Sequence, residues 1–177
     1  MTKTEIIMAA ENTFSNLSQT CNGIEDVAFF KRPGEKWSVA ENVQHLIIST
    51  NTSSLAWYLP LFLVRTIGGT PNRKSRTYDE LKDKYYKKLS EGGRASGRFV
   101  PKPIEIKYGK QKLMNKWSIA TAKFIKTLTK NRTDKDLDSY LVKHPLLGRI
   151  TLRELGYFTI FHTEHHLHSI QKSVENP

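Results

Sequence analysis

The sequence predicts an all-α fold, a four-helix bundle with one long crossover connection between its second and third long helices. Three observations carry that prediction. Apolar residues recur at spacings of three and four along four long segments, the signature of one-sided helices. Two of those segments open on a Ser/Thr-x-x-Glu pattern that caps a helix start, and no convincing strand run separates them. A chain of 177 residues suits one domain, taken as 1–177, and is slightly short for two.

The first segment places Ile7, Ala10, Phe14, Leu17 and Cys21 on one stripe of a helix of about five turns. A polar connection follows, with Gly23 early and Pro33-Gly34 late. Ser38 with Glu41 three residues on forms a capping box, so the second helix starts at Ser38 and carries Val39, Val43, Leu46, Thr50 and Leu55 inward. Pro60 kinks or interrupts it, and Gly68-Gly69 end it. The crossover, residues 70–107, holds a short helix from about Asp79 to Leu89 and then an extended or looped stretch with two prolines. Leu113, Trp117, Ala120, Phe124 and Leu128 mark the third long helix, from about Gln111 to Thr129. A polar loop over NRTDKDLDSYLVKHPLLGRI leads to the capping box Thr151–Glu154. The last helix starts there, with an inward stripe of Leu155, Phe158 or Thr159, His162, His166 and Ser169.

Lys and Arg number 28 against 17 Asp and Glu, a net charge of +11 that favours an anionic partner. The basic residues come in short scattered groups, as in KDKYYKK and KYGKQKLMNK, which fits solvated helix faces better than a nucleic-acid surface. The single cysteine, Cys21, rules out an intramolecular disulfide and a Cys-rich zinc site, and its place on the first stripe reads as core. The N-terminal residues do not read as a secretory signal. The longest apolar stretch, LAWYLPLFLV, is too short to span a bilayer and contains Pro60. A cytoplasmic protein without a membrane segment is the expectation, and the apolar first helix leaves room for a homodimer.

Four of the six histidines fall within FHTEHHLHSI, residues 161–170. On a helix, His162 and His166 share one face about 6 Å apart along the axis, and His45 on the second helix is a third candidate for the same core. Buried imidazoles lose solvation, which a divalent metal ion compensates; three of them would suit Zn²⁺ or Ni²⁺ and leave a coordination position open. His165 lies at the edge of that face, His168 points away, and His144 sits before Pro145 in a loop. By spacing alone, HxxxH marks two surface histidines more often than a metal pair. No HExxH motif is present, and Glu164 does not stand where a zincin places its base.

WSVAENVQHL (37–46) together with PLLGRITLRELGYFTIFHTEHHLHSI (145–170) resembles the DinB-like, or YfiT-like, family of four-helix-bundle metalloproteins. The resemblance implies that His45, His162 and His166 are a metal triad. It further implies an enzyme among thiol-dependent transferases and isomerases using low-molecular-weight thiols such as bacillithiol or mycothiol, or among hydrolases of unknown substrate. Many members carry Gln or His three residues after the second histidine of the motif, where this chain has Ser169. Around the triad, Ser169, His165 at the edge of the face and Glu41 one turn before His45 are the candidate neighbours, Glu41 with its capping role as the simpler reading. Trp37, Trp57 and Trp117 read as core. The expected ligands are a divalent metal ion and a small, anionic substrate or thiol. A non-catalytic metal-binding stress protein and a basic nucleic-acid binder are the rival classes.

Overall fold

The computed structural model describes residues 1–175, and only the backbone at 130 and 131. Four long helices form the bundle: α1 (Lys3–Asn22), α3 (Val39–Tyr58), α6 (Lys110–Asn131) and α8 (Leu152–Glu175). Helix α3 packs on α6 and α8, and α1 closes the ring against both. The shorter helices are α2 (Asp26–Phe30), α4 (Leu61–Gly68), α5 (Tyr78–Ser90) and α7 (Asp134–Ser139). The crossover between α4 and α6 contains α5, which lies against α8, and two single 3₁₀ turns at Gly97–Phe99 and Ile106–Tyr108. The fold is all-α, with one small hairpin, and no single helix among the described residues is long and apolar enough to cross a membrane.

Both predicted capping boxes form. The Glu41 amide donates to Ser38 Oγ at 3.2 Å while the Ser38 amide donates to Glu41 Oε2 at 2.8 Å, and Thr151 and Glu154 repeat the pattern at 3.2 and 2.9 Å. Thr2–Glu5 and Thr77–Glu80 add two more at the starts of α1 and α5. Trp117 and Phe124 meet Phe14 edge-to-face at centroid distances of 5.3 and 5.7 Å, so the α1–α6 seam is aromatic. Cys21 is fully buried, and burial pushes its thiol up to about 12, which makes it inert.

Three sequence expectations are corrected. The α1 stripe begins at Ile6, not Ile7, because Gly156 on α8 opens a notch there: a Cβ on Gly156 would stand 3.0 Å from Ile6 Cγ2. Leu55 is 51% exposed, since Trp57 and the small residues Ser53 and Ser54 take the inward positions of that turn. Pro60 interrupts the second helix as expected, and α3 and α4 meet there at 113°. The stretch from residue 131 to 150 is not simply a polar loop. It forms α7 and an antiparallel hairpin, β1 (Leu141–His144) and β2 (Gly148–Thr151), with Val142 opposite Ile150 and His144 opposite Gly148. A three-residue turn closed by Gly148 at φ +75° fits that hairpin, and strands of four residues are too short for their periodicity to register.

The crossover is tied to the start of α8 through Glu154, which has no exposed surface. Arg73 clasps both of its carboxylate oxygens at 2.6 and 2.8 Å, and the Arg76 amide donates to Oε1 at 2.7 Å. Burial alone would raise this carboxyl. The Arg73 bonds and two backbone amides hold it below the usual range instead. This clasp fixes the crossover against α8, on whose next turns the histidines lie.

Candidate metal centre

Along α3, Asn42, His45 and Ser49 recur at spacings of three and four, so they share one face. On α8, His162 and His166 are one turn apart and look back at that face. His162 Nε2 lies 3.1 Å from His45 Nε2 and 3.2 Å from His166 Nε2, and the three ligand atoms all fall within 4.8 Å of one another. The three residues are 5–7% exposed. Burial, and for His162 and His166 the neighbouring imidazoles as well, lowers all three below the usual histidine value, so they are neutral at neutral pH.

The far side of each ring decides what its Nε2 can do. His45 Nδ1–H donates to the Phe99 carbonyl at 2.6 Å. His166 Nδ1–H donates to Asn42 Oδ1 at 2.7 Å, and the Asn42 amide is oriented because its Nδ2 donates to the Ser38 and Trp37 carbonyls at 2.9 and 3.3 Å. His162 Nδ1 faces Ser49 Oγ at 3.4 Å. With protons on Nδ1, His45 and His166 turn bare Nε2 lone pairs toward His162. One Nε2–H on His162 could serve only one of them well. The cluster is therefore short of positive charge at its centre, and a cation there satisfies all three nitrogens. Three neutral imidazoles, each oriented through its other nitrogen by an oxygen, form a donor set that fits a borderline divalent ion.

An aromatic collar dries the group. Phe158 stacks on His162 at 4.6 Å and 20°, and Trp37 packs on His45 at 5.1 Å and parallel to His166 at 6.0 Å and 6°. Trp57 and Trp117 are core residues as expected, whereas Trp37 belongs to the site. Beyond the collar the histidines open into a cavity of about 650 Å³ walled by Leu89, Phe99, Leu146 and Phe158. Lys36, Arg94, Lys143 and Lys172 stand around it, and none of them is in an ion pair among the described residues. The one carboxylate in the lining is exposed Glu35.

The remaining sequence candidates divide. Glu41 is turned away from His45: Arg32 grips both its carboxylate oxygens and Ser38 caps it, so its capping role stands and it neither orients that imidazole nor faces the cavity. His165 and Ser169 do line the cavity. The Ser169 hydroxyl donates to the His165 carbonyl at 3.0 Å, and the His165 ring sits edge-on to Tyr85 and Tyr86 at 5.9 and 5.8 Å. His168 is exposed, and Glu164 accepts from Tyr78 Oη at 3.0 Å outside the cavity. Residues not anticipated from sequence are Asn42, Ser49, Phe99, Trp37, Tyr85 and His144. For Asn42 and Ser49 the signal existed in their helical spacing from His45; for the Phe99 carbonyl, inside an irregular crossover, there was none.

Asn42→Ala removes the acceptor that orients His166 and holds its proton on Nδ1. Affinity for Zn²⁺, measured by competition with a chromophoric chelator, is expected to fall roughly 10- to 100-fold with the metal-free fold retained.

Among known protein families, the DinB superfamily model matches residues 9–170. Comparison with curated proteins gave no match.

Proposed function

Because the chain belongs to the DinB superfamily, we propose that it is a metal-dependent enzyme whose three-histidine centre, His45, His162 and His166, serves a small-thiol-dependent S-transferase reaction. The observation that carries this reading is the convergence of three neutral, buried Nε2 atoms in the wall of an open cavity. Three protein ligands suit Zn²⁺ or Ni²⁺ with a position to spare. Bound there, the cation supplies a Lewis acid that favours the thiolate form of an incoming thiol. The protein's own part is to dry the site with Trp37 and Phe158, to hold the imidazoles in one tautomer through Phe99 and Asn42, and to attract an anionic co-substrate with the cavity's lysines and Arg94. A cavity of about 650 Å³ accommodates a ligand of drug-like size.

Transfer is favoured over hydrolysis by the lining. A hydrolase ordinarily places a general base beside the attacking water; the lining's one carboxylate is Glu35 on its exposed edge, His144 already spends its Nδ1 on the Leu146 and Leu147 amides, and His165 packs edge-on against Tyr85 and Tyr86. Thiol transfer needs no such residue once the thiol is ionised. In the test reaction the thiolate sulfur bonds to the chloromethyl carbon of monochlorobimane and chloride leaves with the bonding pair. Protein loaded with Zn²⁺ or Ni²⁺ is expected to accelerate that conjugation for one member of a panel of anionic thiols, and to lose the acceleration with a chelator. Background labelling at Cys21 is suppressed by its burial. Chelator-sensitive cleavage of activated esters, with no thiol accelerated, would replace the transferase reading with the hydrolase one.

A further inference from the structure

His144 is outside the three-histidine group, yet it lines the same cavity and its ring is fixed more tightly than a loop position suggests. Pro145 has no amide proton, so the first free amides of the hairpin turn belong to Leu146 and Leu147. Both donate to His144 Nδ1, at 3.2 and 3.1 Å. A nitrogen that accepts two N–H groups cannot carry a proton of its own, which puts the ring proton on Nε2. The ring also packs edge-on against Phe158 at 4.2 Å and 66°, and Phe158 is the residue stacked on His162. Nε2 has no hydrogen-bond partner among the described residues and is not sealed in the core. Lys143, next in the strand, and Arg94 line the same cavity without carboxylate partners.

We infer that His144 is a substrate-positioning residue, a fixed Nε2–H donor that takes a carboxylate oxygen of the ligand at the cavity wall, with Phe158 between it and His162. This rests on the cavity being the binding site but not on the metal. Burial, with Lys84 nearby, lowers His144 to about 4, so its single donor persists through neutral pH. A neutral N–H with a preset direction selects for an acceptor at one place. Lysines on flexible stems provide attraction without that selection.

The test uses uniformly ¹⁵N-labelled protein in metal-free and Zn²⁺-loaded forms, with hexanoate as the probe. Long-range ¹H–¹⁵N correlation is expected to show His144 protonated on Nε2 and bare on Nδ1 between pH 5.5 and 8, and the Nε2–H resonance is expected to move on adding hexanoate. In His144→Asn, the shorter side chain keeps an oxygen acceptor for the Leu146 and Leu147 amides, but its amide N–H groups stop short of the position of Nε2. Its dissociation constant for hexanoate is expected to rise roughly tenfold or more. In His144→Gln, a distal N–H is retained and affinity is expected to stay within about threefold. The Nδ1-protonated tautomer, no detectable hexanoate binding, or a His144→Asn affinity within about twofold of the parent overturns the inference. The metal-free arm reads His144 without any ion, so failure of the metal reading is distinguishable from failure here.

Discussion

The His162→Ala variant is expected to come through purification folded and nearly free of metal. His162 Nε2 is the hub of the cluster, within 3.1 and 3.2 Å of the other two Nε2 atoms, so its loss leaves His45 and His166 without their common neighbour. Zinc affinities of about 10–16 kcal/mol for four-ligand sites imply roughly 3–4 kcal/mol per ligand, or two to three decades in the dissociation constant. His45→Ala is expected to behave similarly, since His45 is the one member of the three-histidine group on α3. His168→Ala, on the exposed face of α8, is the control that retains metal. The measurement is metal per chain by mass spectrometry after equilibration with a competing chelator, with circular dichroism to establish that each variant is folded. One equivalent of metal held by both His162→Ala and His45→Ala, at parental affinity, would remove the three-histidine centre from consideration.

What could be read in the sequence follows the length over which a physical signal repeats. The four long helices show because their stripes run for several turns, and the starts of α3 and α8 show because a capping box is a local chemical pattern independent of tertiary context. The stripe of α1 was displaced by one residue, to Ile6, because the notch at Gly156 is set by another helix far away in sequence. The hairpin leaves no sequence signal for the opposite reason: Leu141–His144 and Gly148–Thr151 are too short to repeat anything. The same division runs through the site. His162 and His166 are visible in a single helix, and His45 enters only when two helices are considered together. The group that fixes His45 is a backbone carbonyl, Phe99, and a carbonyl has no identity in a sequence. His144 reads as a loop residue in the sequence because its rigidity comes from two amides of a turn that leaves no sequence signal of its own. The three histidines were thus legible, Asn42 and Ser49 beside them only through their helical spacing from His45, and the Phe99 carbonyl and the turn amides that fix His144 not at all.

The strongest effect of pH is expected in the metal-free protein, which should lose stability steeply as pH falls from about 6.5. His162 and His166 are held well below the ordinary histidine value, first by burial and then by neighbouring imidazoles, and His45 is lowered by burial. At pH 7.5 neither the folded nor the unfolded chain protonates these side chains much, so they contribute little slope. Below about 6.5 the unfolded chain takes up protons that the folded one refuses, and each of His162 and His166 then subtracts more than about 1 kcal/mol per pH unit. His144 adds to the same slope until pH nears its folded value of about 4. Carboxylates act in a lower window: Glu41 and Glu154 are held below their usual range by their arginine and backbone partners, so their stabilisation is present above about 4.5 and is lost only as pH falls further. Urea midpoints with chelator at pH 8, 7, 6 and 5 separate the two, and a flat profile from 7 to 5 would contradict neutral, buried histidines. Saturating Zn²⁺ should raise stability most at the alkaline end, because the ion binds the same nitrogens that acid protonates. The metal-bound and metal-free curves should therefore converge as pH drops, a convergence that stabilisation by nonspecific cation binding to the carboxylates outside the cavity would not place in the histidine range.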